Sequence, residues 1–300
     1  MIDDFSHLIT EQVNEKTRLL DSCSTLDIVR MMNEEDQQVA YAVKKQLPQI
    51  AAAIDLIYTR LKSKGRLFYI GAGTSGRLGI MDAAECPPTF GTHPEEVQGI
   101  IAGGDQALRT AIEGIEDDPH QGERDLREFQ FTEKDILVGI TASGRTPYVL
   151  GAITYAQQQR AATIAITCNP GSPLGQQVDI PIEVEVGPEV LLGSTRLKAG
   201  TAQKMILNML STGTMVKLGK VYQNLMVDLQ PLNQKLRQRA LRLIQLATGC
   251  QHSVAKHALT STGGEVKTAI VSLITGLSPE QARKRLSNNQ GHVRKAIKDQ

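Results

Sequence analysis

Ser75-Gly76-Arg77 and Ser143-Gly144-Arg145 occupy matching settings, each shortly after an apolar run, inside GAGTSGR at 71–77 and TASGRT at 141–146. Hydroxyl side chains among glycines suit the capture of an anion. A glycine-permitted turn between a strand and a helix gathers backbone N–H groups and the positive end of the helix dipole at one spot. Thr74 and Ser75 in the first loop, and Ser143 and Thr146 in the second, can donate to phosphate oxygens. Gly73, Gly76 and Gly144 let the backbone turn, and Arg77 and Arg145 stand beside them. Two such loops can enclose one phosphate. Carboxylates held beside a bound ligand can accept and return protons, and the chain carries 32 acidic residues from which such a pair could come.

Each feature also has a plainer reading. A lone glycine-rich turn after a strand often serves close packing, and GAGTSGR alone argues no more for function than for packing. Recurrence of Ser-Gly-Arg at the same kind of element boundary is what packing does not explain. Gly71, Gly73 and Gly76 fall short of a dinucleotide fingerprint, because no acidic residue ends a strand about twenty residues on. No Gly-Lys-Ser/Thr is present for a Walker loop. Glu116, in a run with Asp117 and Asp118, reads by default as solvated surface, and Glu85 as a structural carboxylate beside Cys86. Surface arginine is the default for Arg77 and Arg145.

The elements that must position these residues follow from periodicity. RLFYI at 66–70 and ILVGI at 136–140 read as strands running into the two loops, each followed by a helix-compatible stretch. Further strands are expected at Val97–Ala102, Ala162–Thr167 and Ile180–Val186. Strands alternating with helices predict an α/β fold with a mostly parallel sheet covered on both faces, a three-layer sandwich. Before it, Leu26, Val29, Met32, Val39, Val43, Leu47, Ile50, Ile54, Ile57 and Leu61 recur at helical spacing. After it, a helix is expected from Ser194 to about Asp228, then a boundary at Gln230-Pro231 and a helical module of about sixty residues. The expected division is a helical region at 1–60 packed on the α/β domain at 61–230, with a small helical domain at 231–300.

Composition narrows the class. With 33 basic against 32 acidic residues and no long basic run, nucleic acid is not an expected partner. Cys23, Cys86, Cys168 and Cys250 form no CxxC pair and lack a histidine at ligand spacing, so no metal and a reducing compartment are expected. MIDDFSHLIT lacks the basic and apolar segments of a signal peptide, and no apolar stretch approaches membrane-spanning length. A cytoplasmic protein without a membrane partner is expected. Absent Trp and 4% aromatics point away from stacking platforms and toward a small polar ligand.

The two loops resemble those of sugar isomerase (SIS) domains, the phosphosugar-binding α/β fold. With GAGTSGRLGIMDAAECPPTFG at 71–91, AGGDQALRTAIEGIEDDP at 102–119, TASGRTPYVLGA at 141–152 and GSTRLKAGTAQK at 193–204, the chain is similar to the N-acetylmuramic acid 6-phosphate etherases over nearly its whole length. The resemblance implies a tail like a ubiquitin-associated (UBA) three-helix domain and a sugar-phosphate substrate. It also implies cleavage of the lactyl ether, giving N-acetylglucosamine 6-phosphate and D-lactate with no cofactor. An ether resists simple hydrolysis, so elimination of lactate followed by addition of water is the expected route. The matching motif puts the acid/base pair at Glu85, protonating the leaving oxygen, and Glu116, handling the proton at carbon 2. Glu113, one helical turn before Glu116, is expected on the sugar hydroxyls.

A straight helix from Ser75 would place Glu85 about 15 Å along its axis, longer than a hexose 6-phosphate spans. Either the helix is short or bent near Gly79, or Glu85 serves a neighbouring subunit, and a homodimer is expected. Two rival functions share the loops. An aldose–ketose isomerase of the resembling kind would carry a Glu soon after Leu197-Lys198, where Ala199, Gly200 and Thr201 stand instead. A non-catalytic sugar-phosphate sensor would carry a second sugar-binding domain or a helix-turn-helix region, for which the chain lacks length.

Overall fold

The computed structural model describes residues 8–229 and 233–298, in two compact units, one of residues up to 84 with 95–211 and the other of 85–94 with 212 onward. The amino-terminal segment MIDDFSH and the expected boundary at Gln230-Pro231 lie outside the described residues.

The first unit is built on a five-stranded parallel sheet: β1 (Leu67–Gly71), β2 (Val97–Ile101), β3 (Ile136–Ile140), β4 (Ala162–Thr167) and β5 (Ile180–Glu183), in the order β2-β1-β3-β4-β5. Each strand lies within three residues of its expected bounds, and β3 and β4 coincide with theirs. β1, β3 and β4 are buried at every residue, as a strand covered on both faces must be. One face packs on α3 (Gly73–Phe90), where Gly79 lies against Tyr69 and Ile140. The other packs on α6 (Pro147–Gln158), where Val149 and Ile153 join Phe68, Ile70 and Leu137. α5 (Pro119–Glu128) adds Leu126 to that face, and short α4 (Gly104–Arg109) follows β2.

The registers of β1 and β3 are tied at their amino-terminal ends. Asp135, almost fully buried, accepts from the Arg66 backbone N–H at 2.9 Å and from its guanidinium at 2.8 Å, and Ile136 N–H donates to Arg66 O. Burial alone would push this carboxyl up, but the Arg66 guanidinium and the Thr132 and Arg66 N–H groups pull harder, and its pKa is lowered. At the far end Gly71 pairs with Ile140, so the loops after β1 and β3 begin at the same level.

Before the sheet come α1 (Thr25–Lys45) and α2 (Leu47–Lys62). The expected stripe is buried at Val39, Val43, Ile50 and Ile57 and half-buried at Ile54 and Leu61, whereas Leu47 is exposed, and Leu26 and Val29 are 64% and 52% exposed. α7 (Pro173–Gln177) joins β4 to β5, and after the sheet α8 (Lys198–Lys217) is shorter than the expected helix from Ser194 to Asp228. Gly219, at φ +76°, turns the chain out of the helix, and β-branched Val221 starts a small hairpin of β6 (Val221–Tyr222) and β7 (Leu225–Met226).

The second unit begins well before residue 231, because this hairpin and Val227 and Leu229 share one apolar core with the helices that follow. Those are α9 (Gln234–Thr248), α10 (His252–Ser261), α11 (Val266–Thr275), α12 (Pro279–Asn288) and α13 (Val293–Lys298), five helices among the described residues. Ser278 and Gln281 form a capping box at α12, with Pro279 at its first position. No helix among the described residues is long and apolar enough to cross a membrane.

Candidate active site

The strand order reverses between β1 and β3: the chain leaves β1 outward to β2, then returns past β1 to β3. Open α/β sheets bind ligands at the carboxyl ends of the strands flanking such a switch point. Both Ser-Gly-Arg loops lie there, on adjacent parallel strands. α3 and α6 leave these strand ends on opposite faces, so the turns flank one crevice.

In the first loop Gly73 takes φ +53° with no atom near its missing Cβ, so it faces open space at the start of α3. Ser75 is buried and donates to Gln203 Oε1 at 3.0 Å, and the Gly76 N–H bonds Ala72 O. Arg77 turns away to the Ala107 and Leu108 carbonyls, 2.7 and 3.3 Å off, closing the end of α4. Its charge is thus committed to the scaffold.

In the second loop Thr141 is the hub, 2.7 Å from Thr146 Oγ1 and 3.3 Å from Ser143 Oγ. Ser143 also accepts the Arg145 N–H at 3.2 Å, and Thr146 precedes Pro147 at the start of α6. Gly144, at φ +70°, packs so closely on Ser172 that a Cβ would overlap its side chain.

The acidic residues are placed differently from one another. α4 ends at Arg109, and Gly114 at φ +73° separates Glu113 from Glu116, so the two are not one α-helical turn apart as expected. Glu116 lies on a 3-10 turn, Ile115–Asp117, exposed at its tip. Partial desolvation of its carboxyl, then the charges of Asp117 and Glu113, raise its pKa. Glu85 is exposed on α3, which runs from Gly73 to Phe90, so the alternative of a short helix is not met. Glu85 belongs to the second compact unit, and Glu116 and both loops to the first.

Sequence reasoning missed three buried polar residues near the first loop. Glu189, fully buried, accepts the Lys198 and Ala199 N–H groups at 2.9 Å each and so fills the amino-terminal end of α8. Burial raises its pKa although those N–H groups oppose the shift. Lys198 Nζ reaches Glu35 Oε2 at 2.6 Å, and Glu35 also holds Lys16 and Asn14. The first turn of α8 meets the loop, for a Cβ on Gly200 would touch Thr74 Cγ2 at 3.4 Å. Gln203 follows on the same helix. Lys198 and Gln203 stand within GSTRLKAGTAQK, and that motif was the one available signal. Near them Cys168 is buried, its thiol pushed up to about 12 by burial and then by the Glu189 charge.

Family models described as the glucokinase regulatory protein N-terminal SIS domain and the SIS domain match residues 49–157 and 125–213. Solved phosphoheptose isomerases from Neisseria gonorrhoeae and Francisella tularensis superpose with a TM-score of 0.50 each, at 19% and 21% identity. They cover 64% and 65% of this chain and 98% and 100% of their own, and speak for the fold alone. Sheet order, paired loops and these matches define the SIS class of α/β domain. Sequence likeness goes further. N-acetylmuramic acid 6-phosphate etherases from Klebsiella aerogenes, Serratia proteamaculans and Halalkalibacterium halodurans are 51%, 54% and 53% identical. The alignments cover 98%, 97% and 97% of this chain and 98%, 98% and 97% of theirs. This chain belongs to the N-acetylmuramic acid 6-phosphate etherase family.

Proposed function

We propose that this protein cleaves the D-lactyl ether of N-acetylmuramic acid 6-phosphate, giving N-acetylglucosamine 6-phosphate and D-lactate, as a carbon–oxygen lyase in the cytoplasm. The observation that carries the reading is the placement of two hydroxyl-bearing turns at the carboxyl ends of β1 and β3, flanking the switch point. One phosphoryl group bridges them, held by Thr74, Ser75, Ser143 and Thr146 with N–H groups of the turns. Glu113 holds sugar hydroxyls.

In the open-chain sugar the aldehyde acidifies the proton at carbon 2. Glu116 takes that proton as the bond from carbon 3 to the lactyl oxygen breaks, and Glu85 gives a proton to the departing oxygen. Water then adds at carbon 3 of the unsaturated aldehyde while carbon 2 is reprotonated, and both carboxyls return to their starting states. The raised pKa of Glu116 suits a group that must take a proton and return it. Glu85 acts in the site of a neighbouring subunit, in a homodimer. The uncovered Leu26 and Val29 on α1 support a second copy.

The test is D-lactate release from N-acetylmuramic acid 6-phosphate by wild type, Glu85→Gln and Glu116→Gln. Release by wild type with loss in both variants supports the reading. Wild-type turnover in both variants removes the site assignment, and binding without release leaves a sugar-phosphate sensor.

A further inference from the structure

Ser75 has a single proton to donate, and in this structure it donates it to Gln203 Oε1 rather than toward the crevice. Gln203 is buried at 1% exposure, and its Nε2, with two donors, has no hydrogen-bond partner. A buried amide nitrogen left unsatisfied is costly and calls for an explanation. A half-turn of the amide exchanges its nitrogen and oxygen with almost no change of shape. Nε2 then lies where Oε1 was and donates to Ser75 Oγ, which releases the hydroxyl proton for an anion in front of the loop. The group left without a partner becomes a carbonyl, which interiors tolerate better than an unpaired N–H. Gly73 beside open space and Thr74 against the first turn of α8 place the exchange at the mouth of the loop.

We propose that Gln203 is a positioning residue for the phosphoryl group: its amide holds the Ser75 proton while the loop is empty and turns over to hand that proton to the bound anion. This rests on the phosphate reading above and adds the group that sets the direction of the Ser75 hydroxyl. Because it acts through Ser75, its contribution must vanish when Ser75 is removed.

The experiment measures the Kd of inorganic phosphate by calorimetry for wild type, Ser75→Ala, Gln203→Met and the double variant, each with a melting curve. Gln203→Met is expected to weaken phosphate about tenfold when Ser75 is present, the scale of one hydrogen bond to an ionised group, and less than about twofold in Ser75→Ala. Equal weakening in both backgrounds overturns the proposal. A second readout needs no substitution that could unfold the protein, beyond one used to assign the signal. The Gln203 side-chain amide resonances of the wild type are expected to shift on phosphate saturation, and unchanged resonances overturn the proposal. Lactate release separates the two readings. Coupling without lactate release costs the etherase assignment and keeps the proton exchange, whereas release with uncoupled variants costs the exchange alone.

Discussion

Replacing Gly144 by Ala tests how tightly the second turn is built. Its φ of +70° costs a residue with a Cβ about 1–2 kcal/mol. The added methyl would overlap Ser172, whose Oγ accepts the Gly175 N–H at 3.1 Å and caps α7, a bond worth about 1 kcal/mol. Gly144 O also accepts from Leu174 N at 3.1 Å, and moving the turn to relieve the overlap weakens that bond by a further ~1 kcal/mol. The sum is about 3–4 kcal/mol, or roughly 10 °C in melting temperature for a unit of this size. Gly73→Ala is the control, with a comparable φ of +53° but nothing near the new methyl, so its cost is about 1–2 kcal/mol. Thermal melts followed by circular dichroism give the comparison, and phosphate calorimetry shows whether the Gly73→Ala methyl, entering the crevice, still weakens binding. A Gly144→Ala protein within about 0.5 kcal/mol of wild type would refute the packing argument. So would a Gly73→Ala protein less stable than Gly144→Ala.

Glu116 must be ionised to take a proton, so kcat/KM should fall as pH drops through its raised pKa, at higher pH than an ordinary carboxylate titrates. Asp117→Asn removes one cause of the shift and should move that acid limb to lower pH; an unmoved limb assigns it to another group. Asp135 has a lowered folded-state pKa, so its stabilisation is present above the unfolded value of about 3.9 and is lost as pH falls through the folded one. Asp135→Ala should cost about 2–3 kcal/mol in urea unfolding at pH 7, discounted because Arg66 is partly exposed, and progressively less as pH falls below the unfolded value. If Glu85 acts across subunits, mixing inactive Glu85→Gln and Glu116→Gln chains should restore about a quarter of wild-type lactate release, and no recovery would return Glu85 to its own chain.

The sheet was legible because β1 and β3 are short apolar runs that end in glycine-bearing loops, and buried parallel strands leave that signature. Ile136–Ile140 and Ala162–Thr167 form over the expected residues. The loops were legible as a repeat, and their meeting at one crevice follows from strand order, which local periodicity does not encode. α8 was overextended because Leu218, Val221 and Leu225 keep a helix-compatible spacing past Gly219, and the glycine at positive φ decides the matter. Gly114 played the same part before Glu116. The burial of Glu189, Lys198 and Gln203 escaped notice because polar residues are read as surface. Their burial depends on partners as distant in the chain as Glu35 and Ser75.

A crystal structure of the protein with N-acetylglucosamine 6-phosphate bears most directly on the account. It should place one phosphoryl group per chain with oxygens within hydrogen-bonding distance of both the Thr74-Ser75 turn and the Ser143–Thr146 turn. A phosphoryl group held by one turn alone, or bound away from the ends of β1 and β3, would contradict it.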